Sequence, residues 1–281
     1  MSKPFTKEDV IQNKKSAIST LNKQLEYYIN DPTGKHLKKA NLISYWLKDF
    51  IRMIKYEETF NPAKNIAYKR GNIVKVNFGF NIGNEYGGLH YGIVLDKHNA
   101  HNSPVVTVIP LTSVKEGKEI HENNVFLGND LYRLLKIKHD TLFKSIMSER
   151  VKLQKMLVII RGFLELTEDK INNPDESSND DTFVWDSFLK STENLNNLKD
   201  LAGELKKRSD KSIEQLENLK KIEKEISQMK KGSIALVNQI TTISKIRIYD
   251  PKNSGGVLSG ITLSQEQMEN INNKIKSLYI F

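Results

Sequence analysis

The spacing of apolar residues divides the chain into four kinds of segment. Ile73, Val74, Val76 and Phe78 form a short β-branched and aromatic run just after a glycine, which predicts a strand. Tyr91 to Leu95 and Val105 to Leu111 are two more runs of strand length, joined by turn-forming residues from Asn99 to Pro104. Asn124 to Gly128 predicts a short fourth strand. Gly79, Gly83, Gly87 and Gly88 punctuate the stretch after the first strand and predict a sharply bent loop whose backbone can be approached closely. Together these residues predict a small antiparallel sheet or part of a barrel.

The flanking segments follow a helical period. Thr6 and Asp9 are spaced as a capping box, followed by Val10, Ala17, Leu21, Leu25 and Tyr28. After the break at Asp31 to Gly34, a second helix places Leu37, Ala40, Ile43, Leu47, Phe50 and Ile54 on one side, widened by Trp46 and Met53. These predict a helical hairpin packed on the sheet or on a second subunit, ending at the Asn61 to Lys64 connector. Its aromatics read as core positions rather than platforms for stacked bases.

Between residues 129 and 231 the period becomes seven. Ile146, Leu153 and Ile160 recur at that spacing, with Leu135, Leu142, Met156 and Phe163 nearby. Leu198, Leu205, Ser212, Leu219 and Ile226 form a second series flanked by Leu195, Ala202 and Leu216. Two such series around the polar stretch from Asn172 to Asp181 predict an antiparallel coiled-coil hairpin. It reads as a spacer or an assembly device, and removing 131–229 is expected to leave a folded sheet domain. The chain re-enters the sheet at Ser233, loops through Asn253 to Gly256, and closes with a helix started at Ser264. Met268, Ile271, Ile275 and Leu278 form that helix's apolar stripe.

Several separated blocks carry a resemblance. Arg70-Gly71, then Gly83 to Gly88, then Ser103-Pro104 leading to Leu111-Thr112-Ser113, resemble the MazF/PemK family of toxin endoribonucleases. The later stretch Ser233 to Ile248, reading SIALVNQITTISKIRI, is similar to that family's later strands. The resemblance covers 70–128 and 232–281. It implies an α+β fold, an SH3-like antiparallel β-barrel of the MazF/PemK/CcdB type, assembled from 69–128 and 232–281. The N-terminal hairpin would span 1–68 and the insertion 129–231.

The resemblance further implies metal-independent cleavage of single-stranded RNA at a short sequence, leaving a 2′,3′-cyclic phosphate, with no cofactor. It also implies a homodimer and a cognate antitoxin protein. Thr112 stands at the family's catalytic threonine, with the Ser113 hydroxyl beside it. His90 stands where the family has its catalytic arginine, with Tyr91 in place of proline. Unlike a guanidinium, an imidazole is mostly neutral at pH 7, so it can accept a proton but grips phosphate poorly. Either His90 takes over as proton donor or acceptor, or the site is weakened and the protein acts as an RNA- or protein-binding module. The fold also supports a toxin that poisons DNA gyrase. Arg70, Glu85, Gly87, Gly88 and Ser113 are the expected RNA-binding residues.

Composition narrows these readings. The net charge is +9, and residues 1–70 hold fourteen Lys/Arg against seven Asp/Glu, so the excess lies at the N-terminal end. A basic face favours phosphate-rich partners, although a solvated helical surface is equally compatible. Cysteine is absent, which removes disulfides and thiolate metal sites. The polar start MSKPFTKEDV and the lack of a long apolar run predict a soluble cytoplasmic protein with no membrane segment. His98 and His101 lie three apart, a weak metal signal without a carboxylate at suitable spacing.

Overall fold

The computed structural model describes residues 4–172 and 181–280. The expected polar turn from Asn172 to Asp181 lies almost wholly outside those residues, as do the side chains of Phe163 and Leu195. Two helices, α1 (Lys7–Ile29) and α2 (Leu37–Glu57), precede four strands: β1 (Ile73–Asn77), β2 (Leu89–Val94), β3 (Val105–Ser113) and β4 (Val125–Gly128). Two long helices follow, α3 (Asp130–Asn172) and α4 (Asp181–Gln228). The chain then returns through β5 (Ser233–Ala235), β6 (Thr241–Ser244) and β7 (Ile248–Asp250) to α5 (Gln265–Tyr279).

The strands form one antiparallel sheet in the order β4-β5-β3-β2-β1-β7. β6 lies beside the first half of β3, at Val105 to Val108, and β5 beside its end, at Leu111 to Ser113. Pro110 sits at the changeover and, lacking an N–H, cannot extend the ladder. Its carbonyl instead accepts from Leu236. The two distant pieces of chain therefore share one sheet, as the sequence blocks imply.

The sheet is open, which corrects the expected closed barrel. β4 and β7, at its two edges, have only four and three residues, and they do not pair. β7 is stopped at once by Pro251. β4 runs straight into α3 after Gly128. Closure by a continuous ladder needs longer staggered strands. Side chains cover both faces instead. Ile73, Ile93, Ile109 and Leu111 pack under Met268 and Ile271 of α5, while Val74, Val76, Val94, Val106 and Val108 pack with Tyr68 and Ile248. This division follows the two-residue alternation of each strand.

α3 and α4 run antiparallel. His139 bonds to Glu223, and Arg208 pairs with Glu149 at 3.2 Å. Ile146, Ser212, Leu219 and Ile222 are buried between them. The root of this pair belongs to the sheet's own core. Leu131 and Leu135 are fully buried within it, and Ile226 and Met229 pack against it. The Lys138 ammonium donates to the carbonyls of Gly256, Val257 and Ser259 at 2.8–2.9 Å. Deleting 131–229 would therefore remove core side chains, contrary to the sequence expectation. Such a deletion is expected to yield an unfolded chain, because each lost Leu costs about 2–5 kcal/mol. Replacing only 152–205 by a short loop should leave thermal unfolding cooperative.

The N-terminal hairpin departs most from its expected role. The Thr6–Asp9 capping box is present, yet α1 buries no residue and α2 buries only Ala40. Leu21, Leu25, Tyr28, Ile43 and Leu47 are half-buried, whereas Tyr45, Phe50 and Tyr56 are 58%, 41% and 45% exposed. The aromatics are thus largely not core. Contact with the sheet runs through Trp46, whose ring lies against Gly79 and under the Arg247 guanidinium, 5.2 Å from its centre. Asn77 adds a hydrogen bond to Asp49 at 3.1 Å.

Candidate active site

The glycine-rich loop links β1 to β2 and arches back on itself. Gly88 N–H donates to the Gly79 carbonyl at 2.7 Å, and Phe78 N–H donates to the Gly88 carbonyl. Gly79 and Gly88 have φ of +94° and +91°, a region where L side chains are strained. At Gly87 the reason for glycine is space, since a Cβ there would lie 2.7 Å from the Gly79 carbonyl oxygen. The loop is also held from a distance. Gln239 accepts from the Tyr86 N–H at 3.3 Å and donates to the Asn84 carbonyl at 3.4 Å.

The loop delivers Tyr86 between β2 and β3. The pairing of these strands sets Gly92 opposite Pro110 and Ile93 opposite Ile109. That pairing ends at Gly92 and Pro110, and beyond it His90 and Thr112 line the space between the two strands. Tyr86 inserts there. Its hydroxyl donates to the Leu111 carbonyl at 2.6 Å, and its ring centre lies 4.7 Å from that of His90. Burial pushes the Tyr86 phenol up, opposed by a hydrogen bond from the Thr112 hydroxyl. His90 and Thr112 thus line one cavity of about 260 Å3, together with Tyr91, Ser113, Gln228 and Lys230.

The imidazole of His90 is half-buried, and this burial draws its pKa below the ordinary 6.5. A hydrogen bond to the Gly87 carbonyl acts in the opposite, lesser direction. The ring folds back on the loop, so a Cβ on Gly88 would lie 3.2 Å from its Nε2. The cavity's exposed cation is Lys230, which follows α4 and forms no ion pair among the described residues. Behind the cavity wall, Glu225 of α4 accepts from both Lys75 and the Tyr91 hydroxyl.

The sequence-derived residues divide into three groups. His90, Thr112 and Ser113 come together, and Gly87 and Gly88 form the loop beside them. Glu85 is exposed on the loop, where its carboxylate accepts from the Ile82 N–H at 3.3 Å, outside the cavity of His90 and Thr112. Arg70 is elsewhere. Its guanidinium donates to the Leu95 carbonyl and to Asn272 of α5. Leu95 lies five residues beyond His90, about 16 Å along an extended strand, so Arg70 ties the sheet to α5.

Tyr86, Lys230 and Glu225 escape the sequence reading. Tyr86 stands inside the recognised loop block, and its aromatic type between polar and glycine neighbours is the available signal. Lys230 and Glu225 fall among many similar charges and carry none. Among the described residues no group of three His, Asp or Glu side chains is arranged to hold a metal ion. No helix among them is long and apolar enough to cross a membrane.

An open antiparallel sheet, with a glycine-rich loop beside a small cavity lined by an imidazole and hydroxyls, defines an α+β domain. Residues 69–157 match the family model described as a PemK-like, MazF-like toxin of type II toxin-antitoxin system, so this part of the chain is similar to the MazF/PemK toxins. The match spans β1 to β4 and the first part of α3. Toxins of such systems work opposite an antitoxin partner. No curated protein matches the chain.

Proposed function

We propose that the protein is a toxin endoribonuclease that cuts single-stranded RNA without a metal and leaves a 2′,3′-cyclic phosphate. The observation that carries this reading is the shared cavity of His90 and Thr112 with Tyr86 wedged between them. Cleavage requires the ribose 2′-oxygen to attack phosphorus while the bond to the 5′-oxygen breaks. The 2′-hydroxyl proton must leave, and the departing oxygen must gain one.

His90, kept neutral at pH 7 by burial, accepts the 2′-hydroxyl proton, and the departing 5′-oxygen takes its proton from solvent water as its bond to phosphorus breaks. The Thr112 and Ser113 hydroxyls donate to the non-bridging oxygens, where charge builds up in the transition state. Lys230 supplies the fixed positive charge that the family's arginine would have carried. The protein works as a homodimer, and a cognate antitoxin occupies the face used by RNA.

The test is incubation of purified protein with a long single-stranded RNA in EDTA. Discrete cuts ending in a cyclic phosphate, slower in Lys230→Ala, support the reading. No cuts at any pH between about 5 and 9, the range over which a histidine titrates, would leave a binding module instead.

The acid side of the pH profile carries a second expectation. A general base loses function as pH falls through its pKa, and burial has moved that of His90 downward. The acid limb of kcat/KM should therefore lie below pH 6.5. Bound RNA places a phosphate beside the ring and favours its charged form, so the acid limb of kcat should lie at higher pH than that of kcat/KM. Coincident limbs would count against His90 as the base.

A further inference from the structure

His90 lines a second cavity, on the side away from Thr112. This cleft, about 540 Å3, runs between α2 and the glycine-rich loop and is walled by Tyr45, Trp46, Leu42 and Phe80. We propose that it is a stacking site for an unpaired base of the RNA whose phosphate lies at His90, a step that rests on the endoribonuclease reading above.

Four observations converge on this cleft. Its volume falls within the range of small-molecule sites, about 300–1,000 Å3. Tyr45 is 58% exposed beside it, an aromatic ring with no core to enter, and carries the Lys48 ammonium 4.6 Å from its centre. Lys38 lines the cleft, while Lys35 and Lys39 line an adjoining hollow with Phe80. Lys35 and Lys38 form no ion pair among the described residues. Exposed rings beside unpaired cations are the means by which proteins hold single strands, because every base has a π-face and every nucleotide a charge.

The carboxylates of the cleft do not oppose this. Asp49 is engaged by Arg52 and Asn77, and Glu85 is turned to its own loop. The wall is also fixed in place, since Trp46 is held between Gly79 and Arg247. The N-terminal helices thereby become part of the substrate site rather than a separate appendage.

The test measures binding of a labelled, short, random-sequence single-stranded RNA to the full chain carrying His90→Ala, which keeps the RNA intact. Adding Tyr45→Ala should weaken Kd by roughly fivefold to a hundredfold, whereas Tyr45→Trp should leave it unchanged. Lys38→Ala should reduce the dependence of Kd on salt by about one phosphate contact. In the cleaving protein, Tyr45→Ala should raise KM more than it lowers kcat and redistribute the cuts.

Unchanged affinity and salt dependence in both Tyr45→Ala and Lys38→Ala would overturn the proposal and leave the cleft to a protein partner. If the His90→Ala chain binds no RNA and the parent cuts none, the endoribonuclease reading falls with it. Cutting by the parent together with unaltered binding by the variants removes only the stacking site.

Discussion

Replacing His90 with alanine is expected to slow cleavage of single-stranded RNA by about 10²–10⁴-fold, the usual share of a positioned general base. The expectation follows from placement. His90 is a titratable side chain that shares a cavity with Thr112, and the Tyr86 ring packs against it. Thr112→Ala removes a donor to the developing charge and should cost about 10²–10³-fold. His90→Arg is the informative companion. A guanidinium restores phosphate grip but cannot accept a proton near neutrality, so any residual cleavage should lose the acid limb. Wild-type rates in His90→Ala would refute the assignment, whatever the other variants did.

Among single substitutions at ion pairs, the largest effect on stability is expected from Lys75→Ala. Lys75 and Glu225 are only 19% and 16% exposed, and their pair joins β1 to α4. The Tyr91 hydroxyl also donates to Glu225. Burial, with that carboxylate beside it, pushes the phenol well up, so Tyr91 stays a donor over the working range. Removing Lys75 leaves a poorly solvated carboxylate with one donor instead of two, at a cost of about 3–5 kcal/mol. Urea unfolding should show a lower midpoint, with the loss smaller in the double variant Lys75→Met, Glu225→Leu, where no charge is left behind. An unshifted midpoint in Lys75→Ala would mean that the pair contributes nothing.

Much of the sheet was legible in the chain because its determinants are local. β-branched runs mark β1 to β3, glycines mark the loop, and the Thr6 and Ser264 caps start α1 and α5 where expected. The placement of His90 beside Thr112 also follows from resemblance blocks on adjoining strands. What could not be read depends on which face a residue presents after distant pieces meet. Arg70 lies in a recognised block, yet its position in the turn before β1 sends the guanidinium to α5. Glu225 and Lys230 occupy a helix end crowded with similar charges, and only the return of α4 to the sheet selects them. Phe50 fits an apolar stripe by spacing, but α2 meets the sheet chiefly through Trp46 and Asp49 and leaves Phe50 41% exposed. The sheet stays open because strand length at the edges, not strand pattern, decides closure.

The grip of Gln239 on the glycine-rich loop sets a condition on biosynthesis. During translation, the loop and the strands bearing His90 and Thr112 emerge early, but their clasp and the β5 partner of Thr112 come more than a hundred residues later. A nascent chain still lacking that late segment carries the reactive groups without the scaffold that aligns them. The proposed cleavage is therefore expected only after residues 233–239 have emerged, when most of the polypeptide has been made.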